Sequence, residues 1–399
     1  MSAWLGIVGI GEDGMDGLSP SARAVVEAAE VIIGGDRHHR LSDAVQAERL
    51  AWPSPFDAMI DVIRSHRGKR LVILVTGDPL WYSVGARILK AIPAAEVTFH
   101  PQLSAFQWGA ARMGWSLADV ETLTVHGRPV EQAIPFFAPN ARLLVLTRDG
   151  DTPGEVAALL AAHGYGPSAM TVLGALGGPR ESRIDGVAES WAAESPAFHL
   201  LAIECRAAPG ARVLPKGPGL PDDAFEHDGK MTKSEVRALT LSQLAPRRHG
   251  VLWDVGAGCG SVGVEWLRLA RDGAAYGIEP RADRRDMAAR NALKLGAPRL
   301  TLIDGTAPEA LEGLPTPDAI FIGGGLSEQT IDVCRAALAP QGRLVANAVT
   351  LESEALLIAA HARHGGTLTR LSVARAEPVG PFRGWRAAMP VTQWVWHND

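Results

Sequence analysis

The sequence predicts an α/β chain of two unlike domains built on largely parallel sheets. Three observations carry this. Apolar runs of strand length alternate with helical patterns from end to end, which is how chains with parallel sheets read. The 399 residues exceed what one ordinary domain holds. Two glycine-rich loops of different spacing follow strand-like runs, at Gly9–Gly11 and Gly256–Gly260, so one half is not a duplicate of the other. Between them, residues 207–221 (AAPGARVLPKGPGLP) are rich in Gly and Pro, have no periodicity and read as a linker. The expected domains are therefore 1–206 and 222–399.

Composition narrows the function classes. With 47% apolar and 21% charged residues, either half can bury an ordinary core. A net charge of -5 argues against a nucleic-acid partner, which selects a basic surface. A local basic pocket for an anionic small molecule is still allowed. Cys205, Cys259 and Cys334 are far apart, odd in number and form no C-x-x-C pair. That disfavours disulfides and a zinc site and suits a reducing cytoplasm. His38 and His39 stand between Arg37 and Arg40 and read as a solvated basic turn rather than a ligand site. Met1–Ile10 is too short and uncharged for a signal peptide, and no apolar run reaches the ~20 residues that span a bilayer. No metal, nucleic acid or membrane partner is expected, and the expected location is cytoplasmic.

In the N-terminal half, Trp4–Ile10 reads as a strand entering a glycine loop, and Ser19 then caps a helix with Pro20 at its first position. No acidic strand end follows at the distance a dinucleotide site needs, so this loop alone is a weak signal. Leu71–Val75 is a buried strand leading into Thr76-Gly77-Asp78-Pro79, where proline stiffens the turn and removes an N–H, freeing loop groups for a ligand. Pro101–Gln107 and Thr124–Arg128 complete the set. Together they resemble the CbiE-type tetrapyrrole methyltransferases over most of residues 4–205. The resemblance implies a class III tetrapyrrole methyltransferase fold of two α/β subdomains with the methyl donor between them. It also implies cofactor contacts at Gly9, Gly77, Asp78, Ser104 and Ala105. His126 and Arg128 are either substrate contacts or a hydrogen-bonded strand end.

The C-terminal half is more informative. Gly250–Val255 is a buried strand, and Gly256, Gly258 and Gly260 lead into a helix. Such a loop at the carboxyl end of the first strand is where open parallel sheets bind ligands. Nineteen residues after Gly260, Glu279 closes a second strand, where an acid can accept both hydroxyls of a ribose. The spacing is G-x-G-x-G with Asp254 two residues ahead. A carboxylate there is poor company for a pyrophosphate and suits a cationic or zwitterionic ligand end, such as the methionyl ammonium of S-adenosylmethionine. This resembles the first motif of class I methyltransferases, implying a Rossmann-like seven-stranded sheet whose last strand returns antiparallel. Further strands are expected at residues 300–303, 319–322, 343–348, 368–374 and 391–396, which with the first two makes seven. Gly305, Thr306 and Ala307 stand where that family contacts adenine. After Asp318–Ile322, Gly323-Gly324-Gly325 replaces the motif that methylates base amino groups, favouring a carbon nucleophile on a bulky, flat ring.

Ahead of this core, Met231-Thr232-Lys233-Ser-Glu235-Val-Arg237, with the glycine loop, Ala307-Pro-Glu-Ala-Leu and Ile322-Gly-Gly-Gly, resembles the CbiT-type decarboxylating precorrin methyltransferases over most of residues 226–399. Thr232 reads as a helix N-cap forming a capping box with Glu235, and the resemblance adds it to the cofactor contacts. Lys230, Lys233, Arg237 and Arg383 are candidate partners for substrate carboxylates. Joined, the halves resemble the fused precorrin C(5,15)-methyltransferases. That implies S-adenosylmethionine in both halves, an anionic precorrin substrate, methylation of ring carbons 5 and 15 with loss of the ring C acetate, and a homo-oligomer. An enamine carbon is already nucleophilic, so no activated Ser, Cys or metal is needed, and no catalytic acid is identified in the sequence. The competing readings are a nicotinamide-dependent oxidoreductase and a non-catalytic sensor of S-adenosylmethionine or a corrinoid.

Overall fold

The computed structural model describes residues 3–398. The chain divides into two compact units. One runs to Val130 and resumes over Phe136–Arg212; the other comprises Glu131–Pro135 and the chain from Val213 onward.

The first unit holds two five-stranded sheets. Strands β1 (Leu5–Ile10), β2 (Val31–Ile33), β3 (Glu48–Leu50), β4 (Leu71–Thr76) and β5 (Val97–His100) form the first, in the order β3-β2-β4-β1-β5, with every pair parallel. Adjacent β1 and β4 are buried almost throughout, which is why both read as continuous apolar runs rather than alternating ones. Ser19 caps the following helix as expected, accepting the Ala22 N–H at 3.3 Å with Pro20 next in line. The second sheet contains β6 (Glu121–Thr124), β7 (Arg142–Leu146), β8 (Ala169–Gly174), β9 (Ser182–Val187) and β10 (His199–Glu204), ordered β6-β7-β10-β8-β9. It departs from the parallel pattern, since only β6 and β7 run parallel. The seven residues between β8 and β9 are too few for a crossover, so the chain must turn straight back.

The second unit is a seven-stranded sheet of β11 (Val251–Val255), β12 (Ala274–Ile278), β13 (Leu300–Ile303), β14 (Ala319–Ile322), β15 (Arg343–Ala348), β16 (Thr367–Leu371) and β19 (Val391–His397). Its order is β13-β12-β11-β14-β15-β19-β16, parallel from β13 to β15, with β19 antiparallel to both neighbours. The seven strands and the antiparallel return match the expectation. One strand does not: 368–374 stops at Leu371, and a separate ribbon of β17 (Ala374–Val379) and β18 (Phe382–Ala387) follows where a loop was expected. Gly380, at φ +59, opens its two-residue turn. The ribbon turns no face to a core, so it carries no alternating pattern to read.

The stretch read as a linker is not uniform. The units divide after Arg212, whereas Leu220 is a fully buried member of the second core. The N–H groups of Gly219 and Leu220 donate to Glu265 at 2.6 and 3.0 Å, which satisfies backbone that a flexible linker would leave to water.

Candidate active site

Loops at the carboxyl ends of the seven-stranded sheet enclose a cavity of about 810 Å³ in the second unit, in the upper range for small-molecule sites. The glycine loop after β11 forms its middle. Gly256 and Gly258 sit at φ +73 and +57, and the N–H groups of Gly256 and Ala257 both donate to the Ile278 carbonyl at 3.0 Å. A Cβ on Gly256 would lie 2.6 Å from the Gly324 backbone, so the loops after β11 and β14 can meet only because Gly256 carries no side chain.

Two carboxylates face this loop. Asp254, 1% exposed, accepts the Gly263 N–H at 2.9 Å. Burial pushes its carboxyl up to about 7; the Gly263 hydrogen bond opposes that and the charge of Glu279 adds to it. Glu279 accepts the N–H groups of Gly258 at 3.0 Å and Arg281 at 3.1 Å, one on each oxygen, so both oxygens keep a lone pair for a ligand.

Sheet order divides the cavity. Asp254, Glu279 and Gly305–Ala307 stand over β11, β12 and β13. On the other side of the glycine loop, Gly323–Gly325, Asn347, Val349, Leu371 and Val391 stand over β14, β15, β16 and β19. Residues 229–233, Glu235 and Val236 line it as well. The chain leading to and through that segment is tied down by Asn291, whose amide bonds the Glu226 backbone twice and the Cys259 carbonyl once, at 2.8, 2.9 and 2.9 Å. Arg237 is a second tie.

Most sequence-predicted residues of this half come together: Lys230, Thr232, Lys233, Asp254, Gly256, Gly258, Glu279, Gly305, Thr306, Ala307 and Gly323 all line the cavity. The Lys230 and Lys233 ammonium groups have no carboxylate partner among the described residues. Four expectations need correction. Arg237 is not available to substrate: it is fully buried, donating to Glu265 at 2.5 Å, to Asp222 at 3.2 Å and to the Thr232 and Leu220 carbonyls, over the Phe225 ring. Gly260 does not line the cavity; a Cβ there would press on Ala288 at 2.9 Å, so it serves helix packing. Arg383 lies on the exposed ribbon, opposite Pro378, away from the lining. The capping box of Thr232 and Glu235 does not form: Lys233 is the N-cap, and the Glu235 carboxylate instead takes the Arg375 guanidinium at 3.1 and 2.5 Å, which holds it below the usual carboxylate range.

Sequence reasoning missed Arg284, Arg375 and Asn347, all of which line the cavity. Arg284 donates to Asp228 at 3.0 and 2.6 Å and stands 3.9 Å from Glu279. Its place, five residues past the acidic strand end, was a usable signal. Arg375 and Asn347 gave none, because their partners Glu235, Thr240 and Gln393 come from elements distant in sequence.

In the first unit, Gly9, Gly77 and Ser104 converge at the carboxyl ends of adjacent β4, β1 and β5. A Cβ on Gly9 would fall 1.8 Å from the Gly77 carbonyl, and one on Gly77 would fall 2.7 Å from the Ser104 Cα. Ser104 caps the helix Ala105–Met113, exchanging hydrogen bonds with Gln107. The Asp78 carboxylate accepts the Leu80 N–H at 2.7 Å and closes its own turn. His126 and Arg128 are exposed just past β6, and the His126 ring bonds the Thr147 carbonyl at 3.3 Å, the strand-end arrangement. His38 is not a solvated basic residue. Its ring accepts the Gly35 N–H at 3.2 Å and contacts Thr76, and burial beside Arg37 lowers its pKa to about 4.

Two family models match: tetrapyrrole (corrin/porphyrin) methylases over residues 5–191 and the precorrin methyltransferase domain over residues 223–398. The chain is 45% identical over 400 aligned positions to a precorrin-6Y C(5,15)-methyltransferase [decarboxylating] of Sinorhizobium sp, covering 99% of this chain and 97% of that one. The chain belongs to this family. A relative of the same description from Mycobacterium tuberculosis is 40% identical, covering 97% of this chain and 98% of its own. A cobalt-precorrin-7 C(5)-methyltransferase of Salmonella typhimurium is 30% identical over 42% of this chain and 83% of its own. As a member of the C(5,15)-methyltransferase family, the chain is a methyltransferase whose methyl donor is S-adenosylmethionine. The oxidoreductase and sensor readings find no support. Among the described residues no helix is long and apolar enough to cross a membrane.

Proposed function

We propose that this chain methylates carbons 5 and 15 of a precorrin and releases the ring C acetate as carbon dioxide, with one S-adenosylmethionine site in each half. One observation carries the reading for the second unit: a single cavity joins Asp254 and Glu279 on one side to a glycine-opened, largely apolar side on the other, with unpaired Lys230 and Lys233 on its lining. The donor set fits S-adenosylmethionine. Glu279 has free lone pairs for ribose hydroxyls, buried Asp254 suits an ammonium, and Gly305–Ala307 leave room for adenine. When bound, it supplies an electrophilic methyl group. The protein contributes placement: Glu279 and Asp254 orient the donor, and Gly323–Gly325 let a flat ring come close. Lys230 and Lys233 bind carboxylates that the ring keeps. The cytoplasmic reading draws support from three free, buried cysteines, and the homo-oligomer from the exposed Phe382 and Trp385 on the ribbon.

The test is to incubate the protein with precorrin-6B, or its cobalt form, and S-adenosylmethionine. The expected product has gained two methyl groups and lost one carbon dioxide; no mass change despite donor binding would overturn the assignment.

Asp254 adds a pH prediction. Its carboxyl is raised in the folded state, so the stability it contributes is full below the unfolded value of 3.8 and is lost as pH rises through about 7. An ammonium bound there selects the ionised form. Donor binding to this half should therefore release a proton near pH 6–7 and tighten as pH rises through that range. Calorimetry in buffers of different ionisation enthalpy reads the proton, and Asp254→Asn should abolish its release; release undiminished in that variant would refute the assignment.

A further inference from the structure

The cavity wall over β15 contains a polar device on the side of the glycine loop away from Asp254 and Glu279. Asn347 on β15 stands directly opposite Gln393 on β19 in the strand register, and Thr240 of the helix Ser234–Leu244 faces both. Gln393 Nε2 donates to Asn347 Oδ1 at 3.0 Å and to Thr240 Oγ1 at 3.2 Å, and Asn347 Nδ2 donates to Thr240 Oγ1 at 3.0 Å. Thr240 and Gln393 are 0% and 3% exposed, so two of the three members are buried, where polar groups are costly unless paired. Its geometry fixes the amide: Oδ1 is an acceptor, Nδ2 is a donor and the plane is pinned at both ends. A carboxamide carries two N–H bonds, and only one is used. Asn347 lines the cavity, half-buried.

The other groups on this wall are differently occupied. Val349, Leu371, Val373, Val391 and Met389 are apolar, the Thr350 hydroxyl caps the next helix by accepting the Ser353 N–H at 3.2 Å, and the Arg375 guanidinium is taken by the Glu235 carboxylate. A rigid, neutral donor thus remains in an apolar wall on the side of the glycine loop away from Glu279.

Resting on the function proposed above, we infer that the spare N–H of Asn347 holds the acetate carboxylate that leaves as carbon dioxide. Methyl transfer forms the bond to ring carbon 15, turns the sulfonium into a neutral thioether and leaves the ring with a positive charge. The acetate then breaks its bond to the carboxyl carbon. Carbon dioxide departs, the electron pair enters the conjugated ring and cancels that charge, and a tautomeric proton shift converts the exocyclic methylene into a methyl group. A carboxylate that must lose its charge is poorly served by a cation, which stabilises the ground state and is wasted in the transition state. A neutral donor in an apolar wall orients it without that penalty, while Lys230 and Lys233 hold carboxylates that stay.

The test compares the full-length protein with Asn347→Ala and the near-isosteric Asn347→Asp, which preserves shape but replaces the donor with a carboxylate. Carbon dioxide released and methyl gained at carbon 15 are measured in the same reaction. The expected result is a ratio of carbon dioxide to methyl at least about tenfold lower in both variants, with methylated, undecarboxylated ring accumulating. An unchanged ratio in Asn347→Asp, or a proportional fall of both products, would overturn the assignment. Failure of the underlying function is separately visible, since the unsubstituted protein would then release no carbon dioxide.

Discussion

Glu279→Ala should lose carbon dioxide release and the methyl at carbon 15, and should weaken S-adenosylmethionine binding to the second unit by about 100- to 10,000-fold. The estimate comes from two hydrogen bonds between ribose hydroxyls and an ionised acceptor, each worth about 1.5–3 kcal/mol. The same change strips the Gly258 N–H of its acceptor, loosening the loop on which the donor rests. Calorimetry should show two binding sites in the unsubstituted protein and one in the variant. The first unit contains none of these groups, so methylation at carbon 5 should persist if that half accepts the unprocessed ring. Two sites of unaltered affinity would remove Glu279 from donor recognition.

Arg237→Met should instead be a stability lesion, destabilising the second unit by about 3–5 kcal/mol. The guanidinium is fully buried and pairs with Glu265, itself 1% exposed, and with Asp222. Removing it strands a buried carboxylate, and Glu265 is also what receives the Gly219 and Leu220 N–H groups. Lysine should not rescue, because one ammonium cannot reproduce a planar fork reaching Glu265, Asp222 and two carbonyls. Denaturant unfolding monitored on the full chain reads the loss. A variant of unchanged stability but raised KM would restore Arg237 to the substrate-binding role that its position beside Lys233 suggests in the sequence.

The contrast between Glu279 and Arg237 shows what was legible. Glu279 announces itself by offset from a glycine loop, because strand, tight turn and next strand end make a local unit whose length fixes where the acid falls. Arg237 belongs to an equally recognisable motif, yet charge and spacing cannot say whether an arginine faces a ligand or a buried Glu265 twenty-eight residues on. Asn347 was silent for the same reason. Its meaning depends on Gln393 across the strand register and Thr240 from a helix over one hundred residues earlier.

By itself, the sequence determined the two unlike α/β halves, the count of seven strands in the second, and most of the glycine and acid positions that gather around one cavity. All of these follow from periodicity, turn chemistry and spacing, which are local. Only the tertiary structure decided that Arg237 is a buried tie, that Leu220 belongs to a core rather than a linker, that Glu235 pairs with Arg375 instead of capping its helix, and that Asn347 has one N–H to spare. Each depends on which distant group supplies the partner for a buried charge or amide, and burial makes that pairing obligatory without any local pattern to record it.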